Sequence, residues 1–358
     1  MLVRRNAPPA ACPAAAACDP GAMRARPCIA SLLATGLALA LAGCSATSAA
    51  APLAPPAAPL PAGLGQQVAD VVAALGPTAR AAVWFGTADG DALLTWNADT
   101  PMPAASAIKA AFLIEVFAAQ ASAPPSPLAI PPAMPTLTDV PFVPQRGLDA
   151  PLAGADAVLG DAAHPAIAHF TPAQRATARR LLGGQSTRRI AEAMIASTGV
   201  DNATYNVAAN LVTARLGGPA ALTQRLHARD PRFHGLQVRR YMLADRRAHG
   251  DNEATAAALA AVHAALASRR VAGLDAATVQ ACRAVLADGA DRDGRAVFRK
   301  DGALDSAPAT RTRAGWRDGR DGARVFAILL ADDAAGAATG ARLDAAAQRI
   351  EDLLFAAR

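Results

Sequence analysis

Apolar residues recur at helical spacing over 64–76, where Leu64, Val68, Val71, Val72 and Leu75 share one face. Two strand-like runs follow, Ala81–Gly86 and Ala92–Trp96, separated by Ala-Asp-Gly-Asp, which predicts a hairpin. From Ser106 to Gln120 the chain is apolar on nearly every side, so a helix here has to be buried all round. Residues 121–165 are rich in Pro and Ala without a period and read as a long surface insertion. Helical spacing returns at about 171–182, 187–197, 206–215 and 218–228, and stops at a polar, Arg-rich loop over 229–252. Two more helices fit 253–268 and 274–287. Strands then close the pattern at Ala296–Lys300, Thr310–Trp316 and Val325–Ala331, with a turn at 318–322 and a last helix bearing Leu343, Ala346, Ile350, Leu353 and Leu354 on one face. The segments Asp288–Asp293 and Asp301–Asp305 read as turns, since they lack the ligand order of a calcium loop. Strands at both ends of a helical middle predict an α/β (α+β) fold. Its antiparallel sheet is built from both chain ends and flanked by helices, with an inserted all-helical lobe.

A different pattern precedes this body. From Met23 the chain reads Met-Arg-Ala-Arg, an apolar run from Ile29 to Leu41, then Leu41-Ala42-Gly43-Cys44. A basic start, a short apolar run and small residues before a cut make a secretory signal peptide, and the run is too short to span a bilayer. The ending resembles the bacterial lipoprotein lipobox, in which the Cys is lipidated. The expectation is therefore a signal peptide over 1–43 with a start at Met23, and an uncharged Ala/Pro tether over 44–62. One domain would span 63–358, held outside the cytoplasm on the bacterial membrane through Cys44 (the periplasmic face in a Gram-negative cell).

Composition narrows the chemistry. With 53% hydrophobic and 18% charged residues the chain is too apolar for a disordered one. Four of the five Cys lie in the first 44 residues, leaving Cys282, so the body forms no intramolecular disulfide and no Cys-ligated metal site. His249-Gly250-Asp251-Asn252-Glu253 reads as a helix-capping segment rather than a ligand set, and neither metal nor cofactor is expected. Half of the +6 net charge falls in the first 43 residues and only 4% of residues are aromatic, which argues against a nucleic-acid partner. Of 35 basic residues only Lys109 and Lys300 are lysines. Arg holds its proton permanently, whereas Lys can release one where its surroundings lower its pKa, so these two are candidates for chemistry.

Lys109 follows Ser106 at i+3, which sets hydroxyl and amine on one helix face about 5–6 Å apart at Cβ. A helix start supplies free N–H groups for an oxyanion, and an amine buried in an apolar helix is driven towards the neutral form that can take a proton from Ser. Further on stand Thr204-Tyr205-Asn206-Val207-Ala208-Ala209-Asn210-Leu211 and Lys300-Asp301-Gly302. Together these resemble the S-x-x-K, S-D-N and K-T-G motifs, in order, of the class A serine β-lactamases and related penicillin-binding proteins. The resemblance covers about 64–358 apart from the insertion.

That resemblance implies an acyl-enzyme mechanism, with Ser106 the nucleophile and Lys109 its activating partner. Thr204 would relay a proton to the leaving nitrogen, Asn206 would hold a substrate amide, and Lys300 would bind the substrate carboxylate. Backbone N–H groups of Ser106 and Ala303, the latter beside Asp301 and Gly302, would form the oxyanion hole. Arg311 or Arg313, alternate positions on one strand face, would add a carboxylate contact. The implied partner is a β-lactam or peptidoglycan-peptide-like small molecule, handled by a monomer. Two departures matter. Asp301 replaces a hydroxyl residue and puts negative charge where a carboxylate should bind. Class A enzymes also keep a Glu in the 229–252 loop to activate the deacylating water, yet Arg240-Tyr241-Met242 stands there, and Asp245 and Asp251 are the nearby loop carboxylates that could stand in. Slow deacylation is the expected result. The alternatives are a DD-peptidase, amidase or esterase on the same scaffold, or a non-catalytic envelope binding protein.

Overall fold

Strand β1 (Ala79–Thr87) buries both faces: Ala82 and Trp84 enter one core, Ala81, Val83 and Phe85 another. Strand β8 (Arg324–Asp332) does the same with Val325, Ala327 and Leu329 against Phe326, Ile328 and Leu330. Covered on both sides, such strands need apolar residues throughout, which explains their unbroken hydrophobic runs. This computed structural model describes residues 63–121, 147–197 and 199–356. The expected signal peptide, the tether and Cys44 lie outside the described residues.

β1 pairs with β2 (Ala92–Trp96) as the predicted hairpin, and β8 pairs with β1 and with β7 (Ala309–Arg317). β6 (Ala296–Leu304) and β5 (Ala287–Ala290) complete an antiparallel sheet of order β2-β1-β8-β7-β6-β5. Both chain ends therefore build the sheet, as the pattern predicts. On one face α1 (Leu64–Ala73) and α11 (Ala337–Ala356) pack through Leu64, Val68, Leu343, Ile350 and Leu354. The other face carries α9 (Ala256–Ala267), with α2 (Lys109–Ala121) and α10 (Ala276–Leu286) against it. Beyond them lie α4 (Pro172–Leu182), α5 (Thr187–Ala196), α6 (Asn202–Arg215) and α7 (Pro219–Arg229), the expected helical lobe.

Several boundaries differ from the sequence reading. The insertion read over 121–165 is packed structure from 147 onward: Leu148, Leu152, Val158 and Leu159 enter the main core, the last two on α3 (Ala155–Gly160), while 122–146 lie outside the described residues. Ala287–Ala290, partly read as a turn, is the edge strand β5. The loop 229–252 holds a short helix, α8 (Arg246–His249), and Glu253–Ala254 forms β4 against β3 (Met102–Pro103) instead of opening a helix. The helix expected from 206 starts at Asn202, because Asp201 caps it: its carboxylate accepts from Thr204 N–H at 2.6 Å. That extra turn changes which side chains reach the site.

Candidate functional site

Ser106 lies on a single 3₁₀ turn, Ala105–Ile108, that leads into α2. Ala105, just before it, is held at φ +47°, a left-handed conformation that costs a non-glycine residue of order 1 kcal/mol and clusters at functional sites. Against this turn lies β6. β5 pairs with β6 only at Phe298 and Ala296, so from Arg299 onward that edge of β6 is free for the turn. Gly302 makes the approach possible: a methyl group there would sit 2.6 Å from Ser106 N and 2.8 Å from Ala107 N. The backbone of Gly302 is thereby brought against that of Ser106, and Ser106 and Ala303 line the same two cavities.

Lys109 is fully buried, and burial first and the charge of Lys300 second lower its pKa well below the ordinary amine value. Its Nζ donates to Asn206 Oδ1 at 3.0 Å, and Asn206 Nδ2 donates to Asn202 O and Oδ1 at 2.8 and 3.0 Å. Lys109 Nζ also lies 3.2 Å from the centre of the Tyr205 ring, which Lys300 Nζ approaches to 5.0 Å. The hydrogen bonds of the described residues do not include one between Ser106 and Lys109. Such catalytic contacts commonly tighten only with substrate in place.

Two cavities meet at Ser106. The larger, about 410 Å³, is lined by Ser106, Tyr205, Asp301, Gly302, Ala303 and Thr312 among others. The smaller, about 100 Å³, has Ser106, Asn206, Met242, Asp251 and Ala303 in its wall and is large enough for a few waters. Clefts of about 690 and 720 Å³ elsewhere do not contain Ser106.

The structure redistributes several expected roles. Thr204 does not line either cavity; it is buried, with its hydroxyl unpartnered, and Tyr205 and Asn202 face the larger cavity in its place. Arg311 and Arg313 line that cavity but are already paired. Arg311 is held by Asp305 at 2.6 Å and Asp344 at 2.7 Å, and Arg313 by Gln348 at 2.5 Å and Glu351 at 3.1 Å. Arg311 has Nε and both Nη engaged and offers no free fork to a substrate carboxylate, whereas Arg313 spends only Nη1. Asp301 keeps Oδ1 without a partner, its other oxygen is 3.7 Å from Arg299, and burial raises its pKa. Thr312, which sequence reasoning missed, contributes a buried, unpartnered hydroxyl to the same cavity. The Thr310-Arg311-Thr312-Arg313 alternation placed it opposite the arginines, a signal that was present.

Asp245 is not at the site. It caps α8, accepting from Arg247 N–H at 2.8 Å, and is exposed. Met242 occupies the wall instead, and its backbone is clamped: its N–H donates to Asn210 Oδ1 at 2.6 Å, and its carbonyl accepts from Asn210 Nδ2 at 3.1 Å and His169 Nε2 at 2.8 Å. Asp251, also in this wall, has both oxygens taken by Arg246 and one shared with Arg240.

No family model and no curated protein matches the chain. Solved structures do. An ancestral class A β-lactamase is 19% identical, with a TM-score of 0.58 over 82% of this chain and 100% of that one. A β-lactamase from Desulfarculus baarsii is 19% identical, with a TM-score of 0.54 over 82% of this chain and 98% of that one. The β-lactamase of Streptomyces albus G is 18% identical, with a TM-score of 0.53 over 80% and 97%. With its two-ended antiparallel sheet, helical lobe and Ser106 turn against β6, the chain has the class A β-lactamase-like fold.

Proposed function

We propose that the chain is a penicillin-recognising serine hydrolase that forms an ester on Ser106 and releases it slowly. The observation that carries this reading is the position of Ser106 where two unlike cavities meet: Gly302, Ala303 and Thr312 of the strand edge line one, and Met242, a thioether where a base would stand, lines the other. In the forward step a neutral Lys109 amine takes the Ser106 hydroxyl proton, and Oγ adds to the β-lactam carbonyl. The oxyanion is held between Ser106 and Ala303 N–H, the carbonyl–nitrogen bond breaks, and the proton passes to the departing nitrogen. Water must then cleave the ester, and this is where the site is weak. Met242 cannot accept a proton, and Asp251 is bound by two guanidiniums.

Binding of the substrate carboxylate rests on Lys300 and the Thr312 hydroxyl, with Asp301 opposed to it, which weakens recognition of ordinary β-lactams. The clamped Met242 gives a specific reason to keep a second reading, a penicillin-binding protein whose acylated form is the working state. The lipobox pattern supports a lipid-anchored, extracytoplasmic protein, with Cys44 as the lipidated residue. The test is labelling by a fluorescent penicillin. The proposal requires labelling that Ser106→Ala abolishes; a folded wild-type protein that takes no label, or labelling that survives Ser106→Ala, overturns it.

A further inference from the structure

Tyr205 stands at the Asp position of the S-D-N pattern, and its ring covers Lys109 and borders the larger cavity. It is only 8% exposed, so the face it presents to the amines is largely desolvated. An amine 3.2 Å from a ring centre is well inside the range at which the negative face of an aromatic ring attracts a cation, and desolvation strengthens that attraction. Burial acts the other way, expelling the proton from Lys109. Among the described residues no carboxylate pairs with Lys109 to resist burial. On α2, Glu115 is spent on a bidentate pair with Arg229 of α7. Cys282 on α10 keeps its proton, pushed up to about 12 by burial, and His263 on α9 stays neutral, brought down to about 3 for the same reason. Glu192 of α5 is paired with Arg189, Asp149 with Arg188, and Asp251 with two arginines. Lys300 on β6 is the charged group that acts on Lys109 directly, and it repels the proton.

We propose that Tyr205 is a positioning residue whose aromatic face, not its hydroxyl, holds Lys109 and keeps its amine protonatable against burial and Lys300. The phenol oxygen makes no hydrogen bond to either lysine, whereas both amines lie within 5.0 Å of the ring centre. This rests on reading Lys109 as the activating amine. Removing the ring's electron density while keeping apolar cover would then lower the pH at which Lys109 releases its proton, and shift the acid limb of acylation with it.

The chain's two lysines make a direct test possible, because lysine labelled with ¹³C at Cε gives two side-chain signals, and Lys300→Arg leaves that of Lys109 alone. In the full chain, Tyr205→Leu should lower the Lys109 midpoint by about one pH unit, the size expected for a desolvated cation–π contact. Tyr205→Phe should leave it in place. Fluorinated phenylalanine at 205, which keeps the shape but drains the ring face, should move the midpoint down in step with fluorine number, and it keeps the test open if the Leu variant does not fold. An unmoved midpoint in the fluorinated series overturns the proposal, as does a Phe variant shifted as far as Leu. The titration needs no turnover, so it stands or falls separately from penicillin labelling.

Discussion

On the 410 Å³ side of Ser106 the wall supplies a free strand edge at Gly302–Ala303 and the Tyr205 ring, which covers the buried Lys109 amine behind it. On the 100 Å³ side the wall is built with equal care, since Asn210 and His169 fix Met242 through three hydrogen bonds, but the side chain so fixed has no proton chemistry. Scaffold and reagent are separable. A loop can fix its backbone whatever side chain it presents, and the hydrogen bonds of this clamp are to the Met242 backbone.

Breaking the first wall should have the largest effect. Lys109→Arg keeps a positive charge but supplies no base, so Ser106 acylation should fall by about 10²–10⁴-fold, read as the rate of adduct formation by intact mass. Supplying the missing group to the second wall comes next. Met242→Glu, with Asn252 Nδ2 at 3.9 Å from the present sulfur to receive it, should speed loss of the adduct by about 10²-fold while leaving its formation within a few-fold. An unchanged decay would mean that Met242 does not stand where the water is activated.

A buried group outside both walls calibrates what burial alone does. His263 is fully buried with neither ring nitrogen partnered, and desolvation brings its pKa from 6.5 to about 3. The unfolded chain binds a proton below about pH 6.5 that the folded one refuses. Stability should therefore fall as pH drops from about 6.5 towards 3, by about 1.4 kcal/mol per unit, and His263→Phe should flatten that slope in urea titrations. The smallest effect belongs to the carboxylate contact. Asp301→Thr removes an opposed charge and restores a hydroxyl, so acylation by a carboxylate-bearing penicillin should rise about 3–10-fold, with little change for a neutral ester. Equal gains for both substrates would argue against a role for Asp301 in recognising charge.

The hairpin, the terminal strands and the all-round apolar helix after Ser106 were legible because each carries its own period. Residue chemistry singled out Ser106, Lys109 and Lys300, and the structure brings the two lysine amines to the Tyr205 ring. Thr204 was misplaced for a local reason: Asp201 is a good cap, and starting the helix there turns Thr204 inward and Tyr205 to the cavity. An Asp ahead of an apolar helix was available as a signal. The fate of Arg311 and Arg313 was not, because their partners Asp344 and Glu351 lie 33 and 38 residues on, across the sheet on α11. Strand alternation gives a face but says nothing of what covers it.

Intact mass spectrometry after mixing the wild-type protein with a β-lactam tests most directly whether acylation outruns deacylation at Ser106. The expected result is a mass increase equal to the whole β-lactam within minutes, mapped to the Ser106 peptide and still present after hours. Return to unmodified protein within seconds, with steady hydrolysis of the β-lactam, would contradict it.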